Sequence, residues 1–156
     1  MPRTPASALR AIALCLLWLP NWTAHAATGL STHAERTGYR ETGRYDEVRQ
    51  LCAAFARQHP AAVRCLSFGT TPEGGPMQAL IASRTGALTA KAAREKGIPV
   101  LLVQGGIHAG EIDGKDAGFL AMRELLDNTA APGALDRIAL LFVPVFNVDG
   151  HERFGA

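Results

Sequence analysis

Two side chains of types that bind metal ions, His108 and Glu111, lie three positions apart within residues 99–115, PVLLVQGGIHAGEIDGK. A neutral imidazole and a carboxylate are both ligands that zinc accepts, and two ligands on one loop fix two corners of a tetrahedral site. The bare pattern His-x-x-Glu is also common on protein surfaces, so its meaning depends on the elements around it. The first candidate chemistry in this chain is therefore zinc binding.

The elements on either side of this pair favour a metal site. Residues 100–103 are a short apolar run with valine at both ends, which is typical of a buried strand. A Gly-Gly pair that begins at Gly105 ends the strand, because glycine allows tight turns. A helix is predicted to begin near Asp113, which is the expected N-cap residue. In open α/β sheets, ligands bind outside the carboxyl ends of the strands, where His108 and Glu111 fall.

Three segments together resemble motifs of the zinc metallocarboxypeptidase family, the carboxypeptidase A-like peptidases. Residues 105–111, GGIHAGE, resemble its first metal-binding motif. Residues 69–76, GTTPEGGP, resemble its Ser-x-Glu-Gly-Arg-Pro turn, and residues 143–150, VPVFNVDG, resemble its Asn-Pro-Asp-Gly turn. The three segments occur in the family's order, and the resemblance spans residues 45–154. It implies that the histidine and glutamate of the first motif hold one zinc ion.

The same resemblance implies zinc-dependent hydrolysis that releases C-terminal residues from a peptide or protein with a free C-terminal carboxylate. In the family, the third zinc ligand (a histidine), the general-base glutamate and the substrate-binding arginines come later, so they are expected beyond Ala156. Residues 44–156 are thus predicted to be the N-terminal part of a larger catalytic domain, a truncated fragment that is inactive alone. Gly75, Gly110 and Val148 depart from the family pattern, which has arginine, arginine and proline there.

Two alternatives to a carboxypeptidase stay open. One is a zinc amidohydrolase of the aspartoacylase or succinylglutamate desuccinylase type, which shares the strand–His-x-x-Glu site but cleaves small amides. An export signal and the Asn-x-Asp-Gly turn favour the peptidase over this class. The other alternative is a non-catalytic, degenerate binding module that keeps the sheet and does no chemistry.

The first 26 residues have the pattern of a secretory signal peptide. Arg3 and Arg10 supply a positively charged start, and residues 11–19 an apolar stretch. This stretch is shorter than the ~20 residues needed to span a bilayer, so no stable membrane anchor is expected. The sequence Ala-His-Ala, which ends at Ala26, is a small-x-small cleavage site. The mature protein is therefore predicted to be secreted or periplasmic.

Charge and cysteine content limit the partners and the compartment. The formal net charge of +2 is equal to the contribution of Arg3 and Arg10. A mature chain that is neutral overall gives no electrostatic basis for binding nucleic acid. After signal removal Cys52 and Cys65 remain, on a predicted helix and the next predicted strand. A disulfide between them and two buried free thiols both stay open.

Alternating helical and extended patterns predict an α/β fold, with a mixed, mostly parallel sheet flanked by helices. Residues 27–43 are predicted to be a linker or loosely packed arm, and His151 an exposed histidine after a turn at Asp149-Gly150. The predicted elements are helices over 45–58 and 113–126, a helical turn within 85–96, an antiparallel hairpin of strands 63–68 and 77–83, a strand over 99–103, and a strand over 137–143 that ends the sheet as an exposed edge.

Overall fold

A computed structural model describes residues 29–153 of the chain. The predicted signal peptide, residues 1–26, lies outside the described residues. Within them, no helix is long and apolar enough to cross a membrane. The helices are α1 (His33–Arg36), α2 (Tyr45–Gln58), α3 (Ala90–Glu95), α4 (Asp113–Leu126) and α5 (Val148–Glu152), and the strands are β1 (Val63–Thr70), β2 (Pro76–Ala82), β3 (Val100–Gln104) and β4 (Ala139–Val143).

The predicted elements are present, and α2 and α4 begin and end at the predicted residues. Each strand lies within two residues of its prediction. The helical turn expected within residues 85–96 is α3, whose start is capped because the Thr89 side chain accepts a hydrogen bond from the Ala92 N–H (3.0 Å). The turn between β1 and β2 includes Gly74 at φ 87°, a backbone conformation that favours glycine.

The four strands form one mixed sheet in the order β1-β2-β4-β3. The prediction of a mixed α/β sheet flanked by helices is confirmed. The prediction that pairing is mostly parallel is wrong for the described part: β1–β2 and β2–β4 are antiparallel, and β3–β4 is parallel. The hairpin is the reason, because β2 reverses direction and then lies beside β4, whereas the crossover through α4 makes β3 and β4 parallel.

Strand β4 is not an edge of the sheet as predicted; the edge strands of the described sheet are β1 and β3. Strand β4 lies between β2 and β3, and its side chains are mostly buried. Strand β3 was expected to be buried, but its four apolar side chains, Val100 to Val103, are 40–55% exposed. The described apolar core includes residues of β2 and β4 and none of β3. An apolar run thus predicted the strand correctly but not its place in the sheet.

The core lies between one face of the sheet and the helices α2 and α4. The ring of Phe119 stacks on Phe55 of α2 with 5.9 Å between ring centroids. It also meets the ring of Phe142 in β4 edge-on at 5.4 Å. On α4, Gly118 faces this same ring, and a methyl group added there would overlap it. This glycine therefore sets how closely α4 approaches β4.

A disulfide joins Cys52 in α2 to Cys65 in β1, with 5.3 Å between their Cα atoms. This separation is within the usual range for a disulfide, and it decides between the two alternatives that the sequence left open. The cysteines are 13 residues apart in the chain. A bridge that closes a loop of about 15 residues contributes about 3 kcal/mol in the chain-entropy model.

Residues 29–43 pack against the domain and are not a loosely packed arm. Leu30 is 2% exposed and belongs to the core. A capping box forms at α1, where the Thr32 hydroxyl accepts from the backbone N–H of Glu35 and the Glu35 carboxylate accepts from that of Thr32. The Arg123 guanidinium of α4 donates to both Glu35 carboxylate oxygens. These contacts hold residues 29–43, named here the N-terminal segment, against the core.

Candidate metal centre

The loop that carries the predicted ligands follows β3 and is held against the loop that follows β4. The Gly105 carbonyl accepts from the Phe146 N–H (3.0 Å), and the Gly106 carbonyl accepts from the Asn147 N–H (2.8 Å). A Cβ atom at Gly105 would lie only 3.0 Å from the backbone of Gly114, in the first turn of α4. Helix α4 therefore begins directly against the end of β3. Residues 105–112, which connect the two, are named the metal loop.

His108 and Glu111 lie together on the metal loop, as predicted. His108 Nδ1 is 2.5 Å from Glu111 Oε1. The other oxygen, Oε2, accepts from the backbone N–H groups of Ile107 (3.1 Å) and His108 (3.2 Å). Both side chains are accessible, with 73% of the histidine and 46% of the glutamate exposed. The two groups thus share one accessible point at the carboxyl end of β3.

Hydrogen bonding keeps the Glu111 side chain in its charged form. The bond to the His108 side chain, followed by the bond to the His108 backbone N–H, lowers the pKa of Glu111 below its usual value. A carboxylate is the form that binds a metal ion, so the donor chemistry of this pair fits zinc. Within residues 29–153, no three His, Cys, Asp or Glu residues are grouped so that they could hold a metal ion. The described residues therefore offer two ligands, and zinc binding stays a prediction.

The start of α4 differs from the prediction. Ile112 occupies the N-cap position without a side-chain hydrogen bond to the helix, and Asp113 is the first helical residue. Asp113 contributes a negative charge in the first turn, where the helix dipole favours it, but it does not cap the helix. The first turn must therefore be fixed by other contacts.

A buried group of charged side chains, which the sequence analysis did not predict, lies in that first turn. Lys115 is 0% exposed. Its ammonium donates to Asp116 (2.6 Å) and to Glu47 of α2 (2.9 Å). The Thr42 hydroxyl donates to the second oxygen of Asp116 (2.7 Å). We name Lys115, Asp116 and Glu47 the buried charge cluster.

The sequence contains one signal for this cluster. Lys115, Phe119, Met122 and Leu126 follow the spacing i, i+4, i+7, i+11, so the lysine lies on the buried face of α4. A charged residue on an apolar helix face is almost never fully buried unless it is paired.

His151 lies beside the buried charge cluster and not on an exposed loop. Asp149 and Gly150, predicted as a turn, are part of the short helix α5, and His151 in that helix is 3% exposed. Burial lowers the pKa of His151, and the positive charge of Lys115 lowers it further. The charge of Glu152 and a hydrogen bond with the backbone of Gly43 raise the pKa, but they do not outweigh the effects of burial and Lys115. The lowered pKa favours the neutral form of this imidazole.

The three segments that carry the family resemblance meet at one end of the sheet. A cleft of about 280 Å³ is lined there by Thr70, Thr71, Pro72, Met77, Ile107, Phe146, Asn147, Val148 and Asp149. Across it, the Asp149 carboxylate accepts from the backbone N–H of Glu73 in the β1–β2 turn (3.3 Å). A larger cleft of about 780 Å³ lies between α2 and the N-terminal segment, and neither cleft is lined by His108 or Glu111. The smaller cleft adjoins the metal loop through Ile107.

Comparison with known proteins connects this geometry to a family. A family model described as zinc carboxypeptidase matches residues 48–156. The fold is similar to that of carboxypeptidase A from Helicoverpa armigera, with a TM-score of 0.60 and 23% identity over 69% of this chain and 25% of that chain. It is also similar to thrombin activatable fibrinolysis inhibitor, with a TM-score of 0.52 and 19% identity over 74% of this chain and 28% of that one.

A third similar structure is bovine thrombin-activatable fibrinolysis inhibitor in complex with tick carboxypeptidase inhibitor. Its TM-score is 0.50, with 18% identity over 72% of this chain and 33% of that chain. At these identities the likeness shows the fold alone, and the chain spans between a quarter and a third of the three similar proteins. A comparison with curated protein sequences finds no match.

Proposed function

The chain belongs to the zinc carboxypeptidase family, and from that premise we propose that it forms part of an enzyme that releases C-terminal residues from peptides. The observation that carries the proposal is the contact between His108 and Glu111 at the carboxyl end of β3. This contact lies within the residues that the family model matches. The expected substrate is a peptide or protein with a free C-terminal carboxylate.

His108 and Glu111 are the residues that would hold the zinc ion. Zinc, when bound, supplies a Lewis acid that polarises a carbonyl oxygen or a water molecule. The backbone N–H groups of Ile107 and His108 fix one carboxylate oxygen of Glu111, so the other is directed to the imidazole. Catalytic zinc sites typically use three protein ligands and one water. We therefore propose that turnover requires a third ligand and a general base that residues 29–153 do not supply.

We further propose that the protein is exported, to the periplasm or to the medium. Residues 1–26 have the pattern of a signal peptide, and the Cys52–Cys65 disulfide supports this proposal because disulfides persist in oxidising compartments.

Zinc titration against a chromophoric chelator tests the metal site. We expect His108→Ala and Glu111→Gln each to weaken zinc binding by about tenfold or more, because each removes one of two ligands. The matched control is His33→Ala, since His33 also contacts a glutamate, Glu41, on the surface (2.8 Å) but is not in the metal loop. Equal losses in all three variants would mean that zinc binds surface histidines generally, and the proposed site would be wrong.

Substrate class is tested on the protein isolated from its native host, with zinc bound. The assay compares three compounds. They are a blocked dipeptide with a free C-terminal carboxylate, the same peptide as its C-terminal amide, and an N-acyl amino acid. Turnover of the free-carboxylate peptide alone is expected for a carboxypeptidase. Turnover of the N-acyl amino acid would support a small-amide hydrolase, and zinc binding without turnover would support a binding module.

A further inference from the structure

We propose that Lys115 is a positioning residue for the metal loop. Its buried ammonium fixes the first turn of α4 against α2 and the N-terminal segment, and so fixes where the loop presents His108 and Glu111. The inference rests on the proposed function, since it assigns a role toward the same metal site.

The metal loop is exposed between two buried ends. Residues 107–111 are exposed, whereas Gly105 and Gly106 on one side and Lys115 and Asp116 on the other are buried. The first end is fixed by backbone hydrogen bonds to the loop after β4. The second end has no side-chain cap at Ile112, the residue before the helix. Contacts of the Lys115 side chain therefore replace the cap in holding the second end.

The buried charge cluster connects this second end to parts of the chain far from the loop. Lys115 contacts Glu47, which lies 68 residues earlier, in α2. The other oxygen of Glu47 accepts from the backbone N–H of His33 and from Arg36 (3.4 Å). Asp116 accepts from Thr42, 74 residues earlier. Movement of the first turn of α4 would therefore break contacts with both α2 and the N-terminal segment.

Stability alone does not account for a lysine at this position. Removing an ammonium group from water carries a large desolvation cost, and replacing a buried ion pair with apolar side chains is often neutral or stabilising. The neighbours of Lys115 on the same helix face, Phe119 and Met122, are apolar and 0% exposed. What the ion pairs add over apolar packing is a specific geometry, because the ammonium must meet two carboxylates at once.

The test compares Lys115→Met with Arg123→Met. Both variants remove a cation of α4 that pairs with a carboxylate of another element, but Arg123 is eight residues, or about 12 Å, farther along the helix from the loop. At a temperature where circular dichroism shows both variants folded, we expect Lys115→Met to weaken zinc binding about tenfold, as loss of outer-shell partners does. Arg123→Met is expected to stay within about twofold of the wild type.

A second measurement needs no metal. The N–H groups of Ile107 and His108 bond to Glu111 and so report whether the loop is in place. We expect Lys115→Met, but not Arg123→Met, to accelerate hydrogen exchange at these two amides. If Lys115→Met fails to fold, Glu47→Gln replaces it, because this change weakens the same cluster from α2. Unchanged exchange in the cluster variant, or equal acceleration in Arg123→Met, would overturn the proposal.

The two measurements separate this inference from the proposed function. If wild-type protein binds no zinc while the exchange result is as expected, the metal site fails and the positioning role stands. If zinc binds to the wild type and neither affinity nor exchange responds to the cluster variants, the positioning role fails alone.

Discussion

Within residues 29–153, two histidine–glutamate side-chain contacts lie on the surface: His33 with Glu41 (2.8 Å) and His108 with Glu111 (2.5 Å). Each pair joins an imidazole to a carboxylate, but the two pairs differ in the backbone that holds them. The Glu111 carboxylate is held by two backbone N–H groups of a loop that follows a strand. The site is therefore defined by the backbone that orients the pair, and residue type alone would not distinguish the two contacts.

The buried imidazole of His151 should make stability depend on pH. Its pKa in the folded protein is lowered, first by burial and then by Lys115, against the opposing charges of Glu152 and Asp116 and a hydrogen bond with Gly43. The unfolded chain then binds the proton more readily, so this contribution to stability is present above the ordinary histidine pKa of ~6.5 and is lost as pH falls below it. We expect the melting temperature to fall between pH 7.5 and 5.5.

A variant isolates the contribution of this histidine. His151→Gln should show a smaller fall in melting temperature than the wild type across that pH range, measured by circular dichroism. A wild-type slope in His151→Gln would show that other groups determine the acid sensitivity.

The sequence predicted that His108 and Glu111 lie together but not the buried charge cluster, and distance along the chain explains the difference. His108 and Glu111 are three residues apart on a loop whose flanking strand and helix have clear patterns. Lys115 meets Glu47 only because α2 and α4 cover the same face of the sheet. No local sequence pattern predicts the contact between Lys115 and Glu47. His151 was missed for the same reason, since its burial depends on those distant elements.

At the level of helices and strands, local periodicity predicted the type of element and left its neighbours undetermined. The bounds of α2 and α4 were correct because their apolar side chains repeat at helical spacing over 14 residues. The apolar runs of β3 and β4 look alike, yet one is exposed at the edge and the other central. Strand order depends on long-range pairing, so local patterns offer no basis for choosing between the two strands.

The exposed strand β3 should make the isolated chain self-associate. Its sequence, VLLVQ, contains no charge and no proline, the residues that usually protect an edge strand from pairing with another chain. Leu102 is 55% exposed on this strand. We expect Leu102→Lys to reduce association severalfold, measured by light scattering over a range of protein concentrations, because a charge on the edge opposes further strand pairing.

The control for this change keeps the added charge and moves it. Ala53→Lys adds one positive charge at an exposed position of α2, away from the sheet edge. It should associate as the wild type does. An equal reduction in both variants would assign the effect to net charge and not to β3.

For the protein as a whole, export remains to be tested by the mass of the mature chain. The signal pattern of residues 1–26 predicts cleavage after Ala26, and the disulfide agrees with an oxidising compartment. Mass spectrometry of material from the native host should show an N-terminus at or near Ala27. Burial of the N-terminal segment begins at Leu30, so cleavage after Ala26 leaves its packing contacts intact. An intact Met1 in secreted protein would contradict the prediction.

The close approach of Gly118 to the ring of Phe142 has a consequence for how this sequence can change over evolutionary time. Each position limits the other: a larger residue at 118 overlaps the ring, and the ring is itself held by Phe119 and cannot easily turn away. Drift at either site alone is therefore disfavoured. Related proteins that share this packing should substitute the two positions together, exchanging a small residue on the helix for a small residue on the strand.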